Sequence, residues 1–394
     1  MKRQLNPAKR TEVPGSPTVA MISKVKELKR KGIDVISLGA GEPGFVTPEH
    51  IREFAKKALD EGNTFYSDSA GLLELRTAIA EKAKRDNGID VDANSEILVT
   101  VGGKEAVFAS MMALLNPGDE VILSDPCWVS YEPCTIFAGG VPVRVPLHEE
   151  KQFGMNLTDL EKSITSRTKM IIVNSPNNPT GSVLEKNDLE SIADIVVEND
   201  LVVLSDELYE YLVYDGTKHS SIGSLPEMKD RTITINGFSK AFAMTGWRLG
   251  YMIADKRIVE RAKVIHEHSV TGPSTFVQKA AALALHDDRS WKFVKEMRAQ
   301  YQARRDVAAN ELNKIDGVSC VKPRGAFYAF PNISSLGKSS VAMSEFLLEK
   351  AKVATIPGVG FGKRGENHIR ITFTNPEEEL REAFKRIREA IHSS

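Results

Sequence analysis

Short, near-continuous apolar runs recur along the chain, each closed by a polar or glycine-rich turn. The run 96–101 (EILVTV) leads into Gly102-Gly103-Lys104 and then a helical pattern over 105–115. The runs 120–123, 169–173, 201–204 and 232–235 end in Ser-Asp-Pro-Cys-Trp, Asn-Ser-Pro-Asn-Asn-Pro-Thr-Gly, Ser-Asp-Glu-Leu-Tyr and Asn-Gly-Phe-Ser-Lys. Apolar strands without alternation, flanked by helical stretches, predict an α/β fold with a mostly parallel central sheet covered by helices. Ligands in such sheets bind beyond the carboxyl ends of the strands. Five successive strand ends rich in Gly, Asn, Asp, Trp, Tyr and Lys therefore predict one shared site.

The rest of the chain predicts a smaller α+β unit. It has helices over 289–312 and 377–391, strands over 327–330 and 368–374, and an N-terminal helix over 23–31. The expected division is 46–288 for the large unit, with 1–45 and 289–394 forming the small one from both chain ends. A length of 394 residues suits two such units.

Composition narrows the function classes. A net charge of -1, with 41% hydrophobic and 27% charged residues, gives no electrostatic reason to expect nucleic acid or an anionic membrane. The basic cluster 24–31 reads as a solvated helix face. Three cysteines form neither a disulfide framework nor a metal knuckle, and the eight histidines contain no HExxH, so no metal is expected. No apolar run reaches the ~20 residues of a membrane span, and the charged start lacks the apolar stretch of a signal peptide. A cytoplasmic protein is expected.

Candidate chemistry lies at the strand ends. Lys240 follows a strand into the apolar Ala-Phe-Ala-Met, where burial would lower its pKa and supply a neutral amine for a carbonyl. Alone it also fits a surface loop lysine. Arg248, eight residues on, offers a fork for phosphate or a surface ion pair. Asp206 at a strand end needs a cation or donors to meet it. Tyr209 suits a hydrogen bond to a bound ring or a place in the core, and Asn178 a ring contact or a plain turn. Gly102 and Gly103 open a helix, leaving free N–H groups suited to phosphate. Trp128 can stack on a flat ring or fill the core. Arg370 alternates with apolar neighbours, as an exposed strand arginine or a fork for a carboxylate. The G-x-G-x-x-G within 34–44 is not read as a dinucleotide fingerprint. Pro43 and Phe45-Val46 intervene before the next helix, expected with Thr47 as its cap and Pro48 at its first position.

Assembled, Asn-Asn-Pro-Thr-Gly (177–181), Ser-Asp-Glu-Leu-Tyr (205–209) and Ser-Lys-Ala-Phe-Ala-Met-Thr-Gly-Trp-Arg (239–248) resemble the class I aminotransferases of pyridoxal-phosphate (PLP) fold type I, and among them the prokaryotic aspartate aminotransferase subgroup. The likeness runs from Ser16 to Arg370. It implies pyridoxal 5'-phosphate as cofactor, with Lys240 as its Schiff-base lysine and proton carrier and Asp206 at the ring nitrogen. Tyr209 and Asn178 would meet the ring oxygen, with Trp128 stacked on the ring. Gly103, Lys104, Ser239 and Arg248 would surround the phosphate, joined by Tyr66 from a second subunit of a homodimer. Arg370, Asn178 and the backbone of Gly41 would hold the substrate α-carboxylate, while Ser16, Thr18 and Lys104 match contacts to a second carboxylate. The implied activity moves an amino group between an L-amino acid, aspartate or glutamate, and a 2-oxo acid by ping-pong kinetics. Aromatic or small neutral amino acids, or a C–S lyase on the same fold, are the alternatives.

Two residues depart from the pattern: Gly237 stands where many relatives carry a phosphate-binding serine, and Gly44 where aspartate is usual. Glu267, in a segment expected to approach the site of the other subunit, would repel a dicarboxylate unless a cation such as His268 offsets it.

Overall fold

The computed structural model describes residues 6–393. Residues 1–5 and 394, at the ends of the expected smaller unit and including the charged start, lie outside the described residues. An eight-stranded sheet runs in the spatial order Ile97–Thr100, Gly250–Ile253, Thr232–Gly237, Val202–Asp206, Thr168–Asn174, Glu120–Asp125, Val141–His148 and Gly154–Met155. The middle pairings are parallel, whereas Gly250–Ile253 and Gly154–Met155 run antiparallel to their neighbours. The five expected strands are all present, most of them longer at the carboxyl end than the apolar run alone. The polar residues Asn174, Asp206 and Gly237 belong to the ladder because their backbones still pair.

Adjacent residues of one strand enter different cores, as a sheet covered on both faces requires. Met170, Ile172 and Leu204 pack in one hydrophobic cluster, while Ile171, Val173 and Val203 pack in another. Register then aligns the ends: Asn174 lies opposite Asp206, and Asp206 opposite Ile235.

Another core joins Ile36 and Leu38, together with Tyr209, Leu212 and Tyr214, to residues from Met297 to Ile387. Here Ile36–Ser37 pairs in parallel with Val353–Ala354, and Ile369–Thr372 lies between Tyr328–Ala329 and Ile356–Pro357. The long helix Asp288–Leu312 and the last helix Glu377–His392 match expectation closely. The N-terminal helix does not. It spans Pro17–Arg30, six residues earlier than expected, because Ser16 caps it by accepting from the Val19 N–H at 3.4 Å and Pro17 occupies the first turn. Its basic residues from 24 to 31 are exposed, as expected. The helix after Pro43 is Glu49–Asp60, and Thr47 is not its cap. The buried Thr47 hydroxyl instead donates to the Ala243 carbonyl at 2.7 Å and accepts from the Trp247 indole at 3.0 Å.

Behind the Asp206 strand lies a paired polar cluster. Lys82 bonds Glu210 and, at 2.7 Å, Asn87; Glu207 accepts from Ser205 and Ser221 and pairs with His219 at 2.9 Å. Three of its side chains, Glu207, Glu210 and His219, lie close enough together to suggest a metal, but the Lys82 ammonium already sits among them. Lys82→Met strands a buried Glu210 carboxylate and is expected to destabilise the protein by about 3–5 kcal/mol. Lys82→Met/Glu210→Met should recover most of this, measured by chemical denaturation. Equal stabilities for wild type and the single variant would contradict the assignment.

Candidate active site

The carboxyl ends of the strands open into a cavity of about 220 Å³. Lys240, Asp206, Tyr209, Asn178, Arg370, Trp128, Lys104, Gly41, Ser16 and Thr18 all line it. Most of the expected site thus converges from segments spread over the whole chain.

Lys240 is half-buried, and its ammonium donates to the Gly41 carbonyl at 2.6 Å. Burial pushes its pKa down to about 8, with the nearby Arg370 and Arg248 charges acting the same way against Glu42. Asp206 is buried, and burial raises its pKa to about 6 despite a 2.6 Å hydrogen bond from the Tyr131 hydroxyl and a 3.3 Å one from the Leu208 N–H. Its ionic form meets neutral donors and no cation within ion-pair distance among the described residues.

Arg370 is 2% exposed, so the reading as a surface strand arginine is excluded. Its guanidinium donates to the Asn178 side-chain oxygen at 3.0 Å and the Gly39 carbonyl at 2.8 Å, and it lies against the rings of Tyr328 and Phe361. Its Nε is buried without a partner, and no carboxylate reaches it among the described residues. A buried charge left in that state calls for an anionic ligand.

The loop 39–44 therefore works through its carbonyls, which accept from Lys240 and Arg370; the strand before it pairs in a small sheet and no helix opens within the glycines. This agrees with rejecting the dinucleotide motif. Lys104 stands at the exposed rim, where desolvation lowers its pKa, with its ammonium 5.2 Å from the Trp128 ring centre.

Of the residues expected around the phosphate, the Gly102-Gly103 turn and Arg248 come together beside the cavity. Gly103 opens the helix Gly103–Leu114, whose first N–H groups lack intrahelical partners. Arg248 lies over that turn, since a Cβ on Gly102 would come within 2.7 Å of its guanidinium. Arg248 does not line the Lys240 cavity; it is exposed in an adjoining opening and donates to the Thr245 carbonyl at 2.9 Å. Ser239 is buried next to Lys240. Tyr66 is 91% exposed and lies outside the cavity of its own chain. Glu267 is also outside it, accepting from the Ser69 hydroxyl at 2.6 Å.

Both departures from the sequence pattern have steric reasons. Gly237 pairs with Gly250, and a Cβ on Gly237 would lie 2.9 Å from the Gly250 Cα. A Cβ on Gly250 would in turn come within 2.5 Å of the Gly103 nitrogen. These glycines let the helix start approach the sheet, and a serine at 237 does not fit. At Gly44 a Cβ would sit 2.0 Å from the Thr374 carbonyl oxygen, so an aspartate there needs a different backbone path.

Sequence reasoning missed Tyr131, Asn174, Glu42 and Tyr328, all of which line the cavity. Tyr131 follows Trp128 by one turn and Asn174 ends a strand, so both carried a positional signal. Tyr328 read only as part of an apolar strand.

The donor set fits a flat, phosphorylated pyridine aldehyde. It offers a depressed-pKa amine, a buried carboxylate awaiting a ring cation, an indole at the wall and a helix start with an arginine for the phosphate.

The chain belongs to the aminotransferase class I and II family, whose family model matches residues 33–387. It is 52% identical to an aspartate aminotransferase of Pyrococcus abyssi, over 91% of this chain and 92% of that one. It is 50% identical to aromatic-amino-acid aminotransferase 2 of Thermococcus litoralis, over 94% and 95% of the two chains. A solved structure of Thermus thermophilus aspartate aminotransferase with maleate superposes with a TM-score of 0.94 at 42% identity, covering 98% of this chain and all of that one (100%).

The raised pKa of Asp206 sets a pH dependence in the cofactor-free protein. Because its folded pKa of about 6 exceeds the unfolded value, its contribution is full below the unfolded pKa and is lost as pH rises through 6. Between pH 4 and pH 7 the wild type should lose roughly 2–3 kcal/mol relative to Asp206→Asn. Denaturant unfolding of both at each pH measures this, and a pH-independent gap would refute it.

Proposed function

We propose that the chain is a PLP-dependent aminotransferase that moves the amino group of L-aspartate or L-glutamate to a 2-oxo acid such as 2-oxoglutarate or oxaloacetate. The observation that carries this is Arg370, a buried cation that no carboxylate reaches among the described residues, in the same small cavity as Lys240 and Asp206. When bound, the cofactor supplies a carbonyl that condenses with amines and a ring that draws electrons from the substrate Cα. Lys240 anchors it and then moves the Cα proton through its Nζ. Asp206 holds a proton on the ring nitrogen, steadied by Tyr131. Tyr209 and Asn178 meet the ring oxygen, and Trp128 flanks the ring. Gly103, Lys104, Ser239 and Arg248 grip the phosphate, with Tyr66 supplied by a second copy of the chain. Arg370 and Asn178, with Gly41, orient the α-carboxylate.

Support for a homodimer is the exposed pair Phe65 and Tyr66, 83% and 91% accessible beside an open cleft. The division into 46–288 and 1–45 with 289–394 belongs to the same proposal, as does a reducing cytoplasmic setting, supported by three free, buried cysteines. No described helix is long and apolar enough to cross a membrane.

For the distal end, Lys104 with Ser16 and Thr18 favours a second carboxylate, in keeping with the maleate held by the Thermus relative. Val19 and Ile22 line the same wall and support a second reading, that aromatic side chains are also accepted.

Lys240→Ala should lack the yellow absorbance band of the loaded enzyme and lose amino transfer to 2-oxoglutarate. Acceptor-independent release of ammonia by the wild type would instead mark a lyase. Lys104→Met should lower kcat/KM for aspartate by about 10- to 100-fold, the loss of one charge-assisted contact, while phenylalanine turnover changes little. Equal losses for both amino acids would confine Lys104 to the cofactor phosphate.

A further inference from the structure

Tyr328 belongs to neither the carboxylate fork nor the ring contacts proposed above, yet it touches both. Its strand, Tyr328–Ala329, pairs antiparallel with Ile369–Thr372, so that Tyr328 faces Thr372. Arg370 is two residues from that partner and shares its face of the sheet. The guanidinium carbon lies 4.6 Å from the centre of the Tyr328 ring. At the other end of the same side chain, the hydroxyl is 2.6 Å from the hydroxyl of Tyr209. Tyr328 is 1% exposed, and a Cβ on Gly41 would come within 2.9 Å of its hydroxyl oxygen. One buried phenol thus joins the substrate fork, the Tyr209 hydroxyl and the loop whose carbonyl accepts from Lys240.

We infer that Tyr328 is a positioning residue: its hydroxyl donates to the Tyr209 oxygen and so aims the Tyr209 proton at the cofactor's ring oxygen. The inference rests on the proposed contact between Tyr209 and that ring oxygen. Burial keeps both phenols neutral by raising their pKa values; the Arg370 charge opposes this at both, but its guanidinium lies directly against the Tyr328 ring, which favours Tyr328 as the stronger acid of the pair. The stronger acid is the donor, which leaves the Tyr209 proton available. Hydrogen bonds in series reinforce one another in a low-dielectric site.

The test is a pH titration of the visible absorbance of the cofactor-loaded enzyme, which reports protonation of the lysine–cofactor linkage. A donor at the ring oxygen stabilises the deprotonated linkage, so losing the donor raises the midpoint. Tyr209→Phe is expected to raise it by about one unit, the loss of one hydrogen bond to an ionised oxygen. Tyr328→Phe keeps the aromatic face over Arg370 and should raise it by about 0.3 unit, with KM for the amino acid unchanged. In Tyr209→Phe/Tyr328→Phe the second substitution should add nothing. An unchanged midpoint in Tyr328→Phe, or an increment that persists without the Tyr209 hydroxyl, overturns the inference while leaving the Tyr209 contact intact. An unchanged midpoint in Tyr209→Phe overturns the contact itself, and this inference with it.

Discussion

Three ionisable groups meet at one end of a parallel sheet, and among the described residues each takes its hydrogen bonds from neutral dipoles and forms no salt bridge. Arg370 is fixed by an amide oxygen, a carbonyl and two ring faces; Asp206 by a phenol and a backbone N–H; Lys240 by a carbonyl. Neutral partners set direction without neutralising charge, so the counter-ions are left for the ligands to bring. Such a site is preorganised, and it costs native stability until it is filled. An internal carboxylate on Arg370 would remove that cost, but every substrate would then have to displace it.

The chain meets the cost immediately behind the same strand. Asp206 and Tyr209 face the cavity, whereas Ser205, Glu207 and Glu210 turn back into a cluster where Lys82, Asn87, His219 and Asn236 satisfy them. Two carboxylates there are matched by a lysine and by a histidine whose pKa Glu207 raises against the effect of burial. One short stretch therefore has an unbalanced face and a balanced face. The balanced face keeps the unbalanced one from relaxing, because sliding the backbone by one residue would bury Glu207 in the cavity and expose Asp206 to the cluster.

This arrangement explains what was legible in the sequence. The apolar runs and their polar ends gave the sheet and the direction of the site, since a covered parallel sheet has one ligand-binding edge. Lys240, Asp206 and Arg370 stood out because charged residues at such strand ends require a ligand or a partner. The early start of the N-terminal helix was available in Ser16-Pro17 but was outweighed by the later, more periodic charges, and with it went Val19 and Ile22 at the cavity wall. Tyr131 was legible only through its place one turn after Trp128, and Tyr328 was not legible as functional. A tyrosine amid apolar residues looks the same whether its hydroxyl is buried for packing or aimed at a carboxylate, and only the register between distant strands separates the two. The two glycine departures were visible but unexplained, because their reason lies in contacts with Gly250 and Thr374.

The same geometry bears on how one cavity serves unlike side chains. The end proposed for the α-carboxylate is rigid: Arg370 is buried, bonded twice and wedged between aromatic rings. The distal end is the opposite, with Lys104 at an exposed rim and the first turn of the N-terminal helix presenting Thr18 beside Val19 and Ile22. A flexible lysine can swing into solvent when an apolar side chain arrives and return when a carboxylate does, at little energetic penalty because its charge is never fully desolvated. Orientation at the reacting carbon then depends on the rigid end alone. On this account, breadth at the distal end need not loosen the alignment of the Cα bond with the cofactor ring, which the proposed grip of Arg370 and Asn178 on the α-carboxylate would fix from the other side.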